Sequence, residues 1–420
     1  MRGISRATNN FGIRSGISNY VDGVYFSSAI PASRESIFTE RVEVVRGPQG
    51  TLYGRDSIGG ALNVISKRPT EEFAGQFNVG VESREGRRME LTMAGPINDN
   101  LRYRVGGSRT IVDEGYLTNV SGLETEGGHN DGYYLEGQLE GNLFGDRFEW
   151  WTRLGSLQWE RKGLPGGRTS GDGQSPYDTR YAPPGSIAPN MYFAFAPGVG
   201  NTNIQQTGDV RVNFAIDDPR LFNTDKTQVA FLKPTTEGVF EAVWHADQFD
   251  IKYLGGYVHY NYNLQLENDG SPVQSFFNPL LGNVAAARES DYNENRGWYS
   301  NEINIVSTGD GAFNWILGLY QYEEDYTQPV YSFTTSGPNL PYFSGATGTG
   351  IAPPMADGRN TQSQPPQAIS LQTITSNVGL NQAYGAFMQG DYQFNDQWKL
   401  TAGIRYSEDR AKTTEFGRLM

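Results

Sequence analysis

Cysteine is absent from this chain of 420 residues, which excludes a disulfide framework and any cysteine-bearing zinc site. Histidine is scarce: the three residues His129, His245 and His259 fall in a long connection, a short turn and a polar strand face. They share no ligand spacing, so no metal site is expected. No run of 18 apolar residues exists, and mean hydropathy is −0.55, which excludes a membrane-crossing helix. The segment after Met1, "RGISRATNN", lacks the apolar core of a signal peptide. A P-loop would need G-x-x-x-x-G-K-[ST], and no G-x-G-x-x-G opens a helix, so ATPase and dinucleotide sites are excluded. Carboxylates abound, yet no catalytic constellation is legible, because acid/base pairs need convergent geometry. Cations are outnumbered, 34 Lys+Arg against 47 Asp+Glu, so a nucleic-acid partner is excluded. The imbalance is uneven: residues 1 to 70 carry nine basic and five acidic side chains, and the acidic excess lies in the remainder.

What the chain does hold is glycine, tyrosine and phenylalanine (52, 24 and 22 residues) and a pervasive period of two. In "YLEGQLEGNLF" Leu135, Leu139 and Leu143 share one strand face, and Glu136, Gln138 and Glu140 the other. "VHYNYNLQLE" and "WKLTAGIRYS" alternate in the same way. About eleven such segments are expected, starting near residues 72, 86, 99, 131, 147, 229, 249, 297, 313, 382 and 398, with lengths that suit tilted membrane strands. Short turns ("PINDN", "FGDR", "HADQ", "STGDG", "FNDQ") take turns with long polar excursions near 114–130, 163–227, 268–296 and 334–380. Loops sorted by length onto two rims are a property of outer-membrane barrels. Aromatics beside the short turns, such as Phe148, Trp150, Trp151, Phe313, Trp315 and Trp398, suit an interfacial girdle.

The first 70 residues read differently. "YVDGVYF" and "RVEVVRG" are short strands, "GPQGTLYG" is a glycine-punctuated turn, "SIGGALNVIS" returns as a strand, and Pro69 marks a boundary.

These residues resemble the second half of the plug domain of TonB-dependent outer-membrane receptors. The family's run is close to E-x-V-x-R-G-P-x-G-x-L-Y-G-x-x-x-x-G-G-x-x-N-x-x-[ST]-K-x-P. It is filled here by Glu43, Arg46, Gly47, Pro48, Gly50, Tyr53, Gly54, Gly59, Gly60, Asn63, Lys67 and Pro69. "YSNEINIVSTGDGAFNWILGLYQYEE" and "AYGAFMQGDYQFNDQWKLTAGIRYSEDR" are similar to strand pairs of the same family's barrel. The resemblance implies an all-β chain, with residues 1–70 as the C-terminal half of a plug domain. Residues 71–420 would form the N-terminal half of a 22-stranded transmembrane antiparallel β-barrel. It implies an outer-membrane location in a Gram-negative bacterium, with membrane lipid, TonB and a small-molecule metal chelate as partners and no cofactor. The implied activity is energised uptake of a scarce nutrient, with a ferric siderophore leading; the chain is no enzyme.

Ligand contact would then fall at the plug's apices, with Asn9, Asn10, Tyr25 and Phe26 as candidates. Arg41, Arg46, Arg55 and Arg68 are expected to pair with wall carboxylates such as Glu136, Glu140 and Asp391, holding the plug in place. No signal peptide, TonB box or first plug half is recognisable, and eleven strands are about half a barrel. The sequence therefore reads as a fragment that is inactive alone. Two rival readings stay open: a passive outer-membrane porin, and a soluble all-β glycan-binding protein.

Overall fold

The computed structural model describes residues 16–28, 30–32, 35–47, 59–119, 127–164, 205–207, 220–222, 228–267, 275–278, 282–285, 288–309, 311–335 and 369–419. Among these the single helical element is a 3-10 turn at Ile30–Ala32; strands make up the rest of the regular structure.

A small sheet comes first, in the order β2-β1-β4-β3. It consists of β1 (Ile17–Val21), β2 (Val24–Phe26), β3 (Thr39–Arg46) and β4 (Gly60–Ser66). β1 and β2 form a hairpin whose turn is Asp22-Gly23, with φ of 52° and 80°. Asp-Gly is a pair that tolerates the two positive φ angles such a turn demands. β3 pairs antiparallel with β4, Arg46 opposite Gly60 and Glu43 opposite Asn63. The expected "RVEVVRG" and "SIGGALNVIS" strands are therefore partners.

A curved antiparallel wall follows. Its strands are β5 (Ala74–Glu82), β6 (Gly86–Asn98), β7 (Leu101–Val112), β9 (His129–Leu143), β10 (Phe148–Leu164), β13 (Gln228–Leu232), β14 (Thr236–His245), β15 (Phe249–Glu267), β18 (Arg288–Ser307), β19 (Phe313–Thr335), β20 (Ile369–Asn395) and β21 (Trp398–Leu419). β13 and β14 occupy one position, both lying between β10 and β15, so the wall has eleven places. Pro234 separates them because it cannot donate to the ladder. The register against β10 shifts by one residue across the break, the signature of a bulge. Short strands β8 (Thr118–Asn119), β11 (Gln205–Thr207), β12 (Leu221–Phe222), β16 (Ser275–Asn278) and β17 (Gly282–Ala285) lie in the long connections. His129 opens β9 rather than lying in a loop.

The eleven expected wall strands are present. Two begin earlier than the alternation suggested: β18 at Arg288 and β20 at Ile369, not 297 and 382. The added residues, "RESDYNENRG" and "ISLQTITSNVGLN", do not alternate: the first is almost wholly polar and the second has apolar residues at both odd and even positions, so period two carries no hydropathy signal there. The strand ends joined by the short links at 99–100, 144–147, 246–248 and 396–397, and the ends Ser307 and Phe313, lie on one rim, and the strand ends that the long connections join lie on the other.

Outward faces carry a belt of exposed apolar side chains, including Val79, Leu91, Leu135, Leu139, Leu154, Phe240, Ile303, Leu319 and Met388. Soluble proteins rarely expose apolar patches of this extent. Aromatics line the short-turn rim: Phe144 and Phe148 each meet Trp244, Tyr392 meets Phe394, and Trp398 stands exposed beside them. Inward faces pack on the small sheet. Tyr20, Val21, Val24, Tyr25, Phe26 and Ala61 form one core with Trp151, Leu232, Val239, Val258, Tyr260, Trp298, Tyr322 and Ala383 of the wall.

Candidate functional site

The hairpin tip of the small sheet carries a buried carboxylate into the wall. Asp22 accepts hydrogen bonds from the Ser66 backbone N–H (2.8 Å) and hydroxyl (2.9 Å), and from Nε of Arg153 on β10 at 2.9 Å. The Arg153 side chain has 0% exposure. Its Nη1 lies 3.4 Å from Glu237 and 3.9 Å from Glu136 and donates to the Tyr134 hydroxyl at 3.3 Å. Tyr134 in turn donates to Glu136 at 2.7 Å. Gln138 Nε2 lies within hydrogen-bond distance of Glu136 (2.7 Å) and of the Lys67 carbonyl (2.9 Å), while its Oε1 accepts from Trp151 Nε1 at 2.9 Å. The bulge at Pro234 sets Thr235 beside this group, 3.4 Å from Glu237. One guanidinium thus bridges three carboxylates, one from the inner sheet and two from the wall. Removing one partner of such a pair costs about 3–5 kcal/mol, since a charge is left buried and uncompensated.

A second anchor lies where the chain leaves β4 for β5. Arg68 stacks 3.6 Å over the Trp151 ring and reaches both oxygens of Glu241 at 3.1 and 3.3 Å. About a third of this pair is exposed, so solvent screening holds it to about 1 kcal/mol, and the stacking adds a comparable amount.

Aromatic contacts complete the seat. Trp298 Nε1 donates to the Tyr25 carbonyl at 2.9 Å. Phe26 meets Trp298 and Tyr25 meets Tyr322 edge-on, both at 5.5 Å, and Phe38 meets Tyr134 at 4.9 Å. Two wall glycines permit this approach. A Cβ on Gly256 would lie 2.3 Å from Val24 Cγ1, and one on Gly106 would lie 2.8 Å from Phe38 Cε1.

Toward the long-loop rim the inner wall becomes aromatic and charged. Glu294 accepts from Tyr260 (2.6 Å) and Tyr292 (2.8 Å), with Arg296 Nε at 3.1 Å. Glu324 accepts from Asn381 at 2.9 Å. Trp159, Tyr262 and Tyr292 form a chain of ring contacts, and Arg161 lies 4.4 Å over Trp159. Such a face offers stacking surfaces and fixed hydrogen-bonding groups to a ligand entering from the loop side.

Of the residues expected from sequence, Glu43 and Asn63 are joined across β3 and β4, with Asn63 Nδ2 donating at 3.3 Å. Asn63 Oδ1 also accepts from the Gly23 N–H at 3.3 Å, tying the hairpin tip to the sheet. Gly47 and Gly60 have φ of 90° and 136°, the Gly47 N–H donates to the Gly59 carbonyl at 3.3 Å, and Lys67 N–H donates to the Phe38 carbonyl at 2.9 Å. Pro69 is buried and Arg46 exposed. Tyr25 and Phe26 are buried against the wall, 8% and 2% exposed. Asn9, Asn10, Pro48, Gly50, Tyr53, Gly54 and Arg55 lie outside the described residues.

The expected ion pairs are redrawn. Arg68 takes Glu241, while Arg41 binds Glu40 and Glu43 of its own strand, each at 2.8 Å; the hydrogen bond to Glu43 holds its pKa above the ordinary value. Glu140 pairs with Arg102, Asp391 with Lys399, and Glu136 serves Arg153. The deepest pair has the opposite polarity to the one expected, with the anion on the inner sheet and the cation on the wall. Single-residue charge cannot reveal which strand faces will meet, so Asp22, Arg153 and Glu237 escaped notice. Asp-Gly at a hairpin and an arginine on an otherwise apolar-outward strand were the available signals. His245 Nδ1 lies 2.9 Å from Asp250, and among the described residues no three His, Asp or Glu side chains converge as metal ligands.

Residues 1–61 match the sequence profile described as the TonB-dependent Receptor Plug Domain. The first 61 residues are thus similar to the plug of TonB-dependent receptors. A pesticin receptor of Yersinia pestis is 36% identical over 134 residues, covering 30% of this chain and 19% of that receptor. The ferric enterobactin receptor PirA of Pseudomonas aeruginosa is 38% identical over 80 residues, 18% of this chain and 11% of PirA. In fold, the chain is similar to the ferric yersiniabactin uptake receptor FyuA from Yersinia pestis, with a TM-score of 0.65 at 15% identity. That likeness covers 97% of this chain and 50% of FyuA. The chain therefore spans about half the length of the receptor whose fold it shares. By that likeness the small sheet is called the plug and the curved sheet the wall.

Proposed function

We propose that this chain supplies plug and wall to an outer-membrane receptor for TonB-energised uptake of a ferric siderophore, with the described inner face above the plug as the route of the ligand. The single observation that carries this is the seated plug. A four-stranded sheet is locked in the wall by a buried charge cluster and an aromatic core, which suits gated passage and not free diffusion. A porin has no use for such a seat. The exposed apolar belt on the outer faces disfavours a soluble glycan-binding protein. Relatives whose names specify ferric enterobactin, ferripyoverdine and ferric yersiniabactin support an iron chelate as cargo. The segmental boundary near residue 70 and the weak ligand contacts Asn9, Asn10, Tyr25 and Phe26 belong to the same proposal. In it Tyr25 and Phe26 act first as packing against the wall.

The test is uptake of radio-iron on a panel of siderophores by cells producing the full-length gene product, with and without TonB. Accumulation that requires both the receptor and TonB for at least one chelate is expected. Equal entry without TonB would overturn energised uptake in favour of a pore.

A further inference from the structure

The outer face of the wall holds a hollow of about 520 Å³, away from the plug seat. It is floored by Gly107 and Gly137 and walled by Leu91, Met93, Leu135 and Leu154, whose side chains are 38–64% exposed. The ladder sets Gly107 between Leu91 and Leu135, and Gly137 between Val105 and Leu154. The depression thus arises because two outward positions lack side chains amid bulky neighbours. A Cβ on Gly137 would meet nothing within 4 Å, so packing inside the wall does not require glycine there. One outward position farther along β7, toward the long-loop rim, stands Arg109; Arg87 is exposed near the same end of β6, and Lys162 near that of β10. Arg109 shares Asp131 and Lys162 shares Glu160, leaving a net positive collar above an uncharged hollow.

We propose that this hollow seats one acyl chain of an anionic lipid, with its phosphate against Arg87 and Arg109. The inference rests on the reading that the wall spans a membrane. Apolar contact fixes the chain by area buried, and cations at the interface favour anionic headgroups. The position within the apolar belt supplies the acyl chains, and the collar selects among them.

The experiment uses the full-length gene product, purified from outer membranes and reconstituted in nanodiscs of phosphatidylglycerol or phosphatidylcholine. Native mass spectrometry of the released receptor counts retained lipids, and heat-dependent gel mobility reports separately whether the barrel has formed. Gly137→Leu places a side chain in the hollow at a position whose Cβ meets nothing within 4 Å and should bind phosphatidylglycerol about tenfold more weakly, the equivalent of roughly two methylene contacts. Arg87→Gln with Arg109→Gln keeps the hollow and should lower the preference for phosphatidylglycerol over phosphatidylcholine by about fivefold per arginine. A folded Gly137→Leu receptor that retains lipid as the parent does would overturn the inference and leave the membrane reading intact. A parent receptor that forms no barrel in lipid would overturn both.

Discussion

At Asp22 a single carboxylate joins the plug's turn, its last strand and the wall, so its removal separates plug stability from wall stability. Asp22→Asn keeps an oxygen for the Ser66 N–H but presents no charge to Arg153. The plug should lose about 3 kcal/mol, read as a lowered guanidinium midpoint in the tryptophan fluorescence of the full-length product, with more leak of large antibiotics. Arg153→Gln should cost more than Asp22→Asn, because it strands Asp22, Glu136 and Glu237 together. Equal effects would mean that the wall carboxylates do not share the guanidinium. Reversal of Arg46, which is exposed at the end of β3, should change leak little. Arg68 offers a finer contrast. Lysine keeps its charge yet loses the planar fork and the stack on Trp151, so Arg68→Lys should lose about 1 kcal/mol, and a double-mutant cycle with Trp151→Leu should recover most of that as coupling.

Among the elements, β15 shows how a wall strand is shaped to its plug. Gly256 leaves room for Val24, and a methyl there would lie 2.3 Å from Val24 Cγ1. Gly256→Ala should destabilise the seated plug by about 1–3 kcal/mol through overpacking, measured by the same unfolding transition, and Val24→Ala in the same chain should restore most of the loss. No rescue would place the strain in the wall ladder instead. The same strand marks the limit of what alternation reveals. Period two made β9 and β15 equally legible as strands. However, Leu135 and Leu139 of β9 are exposed outward, while Val258 and Tyr260 of β15 are buried inward against the plug. An apolar face is exposed outward on one strand and packs on the plug on another, and only the three-dimensional seat decides which. The pairing of "RVEVVRG" with "SIGGALNVIS" was more legible, since a hairpin's register follows from its own residues. The charge cluster was not legible, because Asp22, Arg153 and Glu237 meet across more than two hundred residues of chain.

For the whole molecule, loop lengths on two rims and eleven alternating segments were enough to disclose a barrel wall, and the structure adds the direction of each strand. β5 and β21 are the edges of the sheet, with one neighbour each. Eleven is odd, so in an antiparallel wall these two edges run the same way, from the short-turn rim toward the long-loop rim. A second copy of this chain inserted in the same orientation would then meet both seams in parallel, and two copies cannot close an antiparallel barrel. A segment that does close it has an odd number of strands. Hydrocarbon leaves unpaired backbone no solvent partner, so closure is required of any spanning sheet. The closing strand that pairs with β5 runs from the long-loop rim downward and ends at the short-turn rim. In the outer-membrane reading that rim is periplasmic, so an epitope tag placed after the closing strand of the full-length product should be invisible to antibody on intact cells and visible once the outer membrane is permeabilised. A tag in the connection after β10 should be visible on both. Surface labelling of the terminal tag on intact cells would mean that the seam closes with a parallel pair or that the wall is inverted, and the strand count of the closing segment would separate these two.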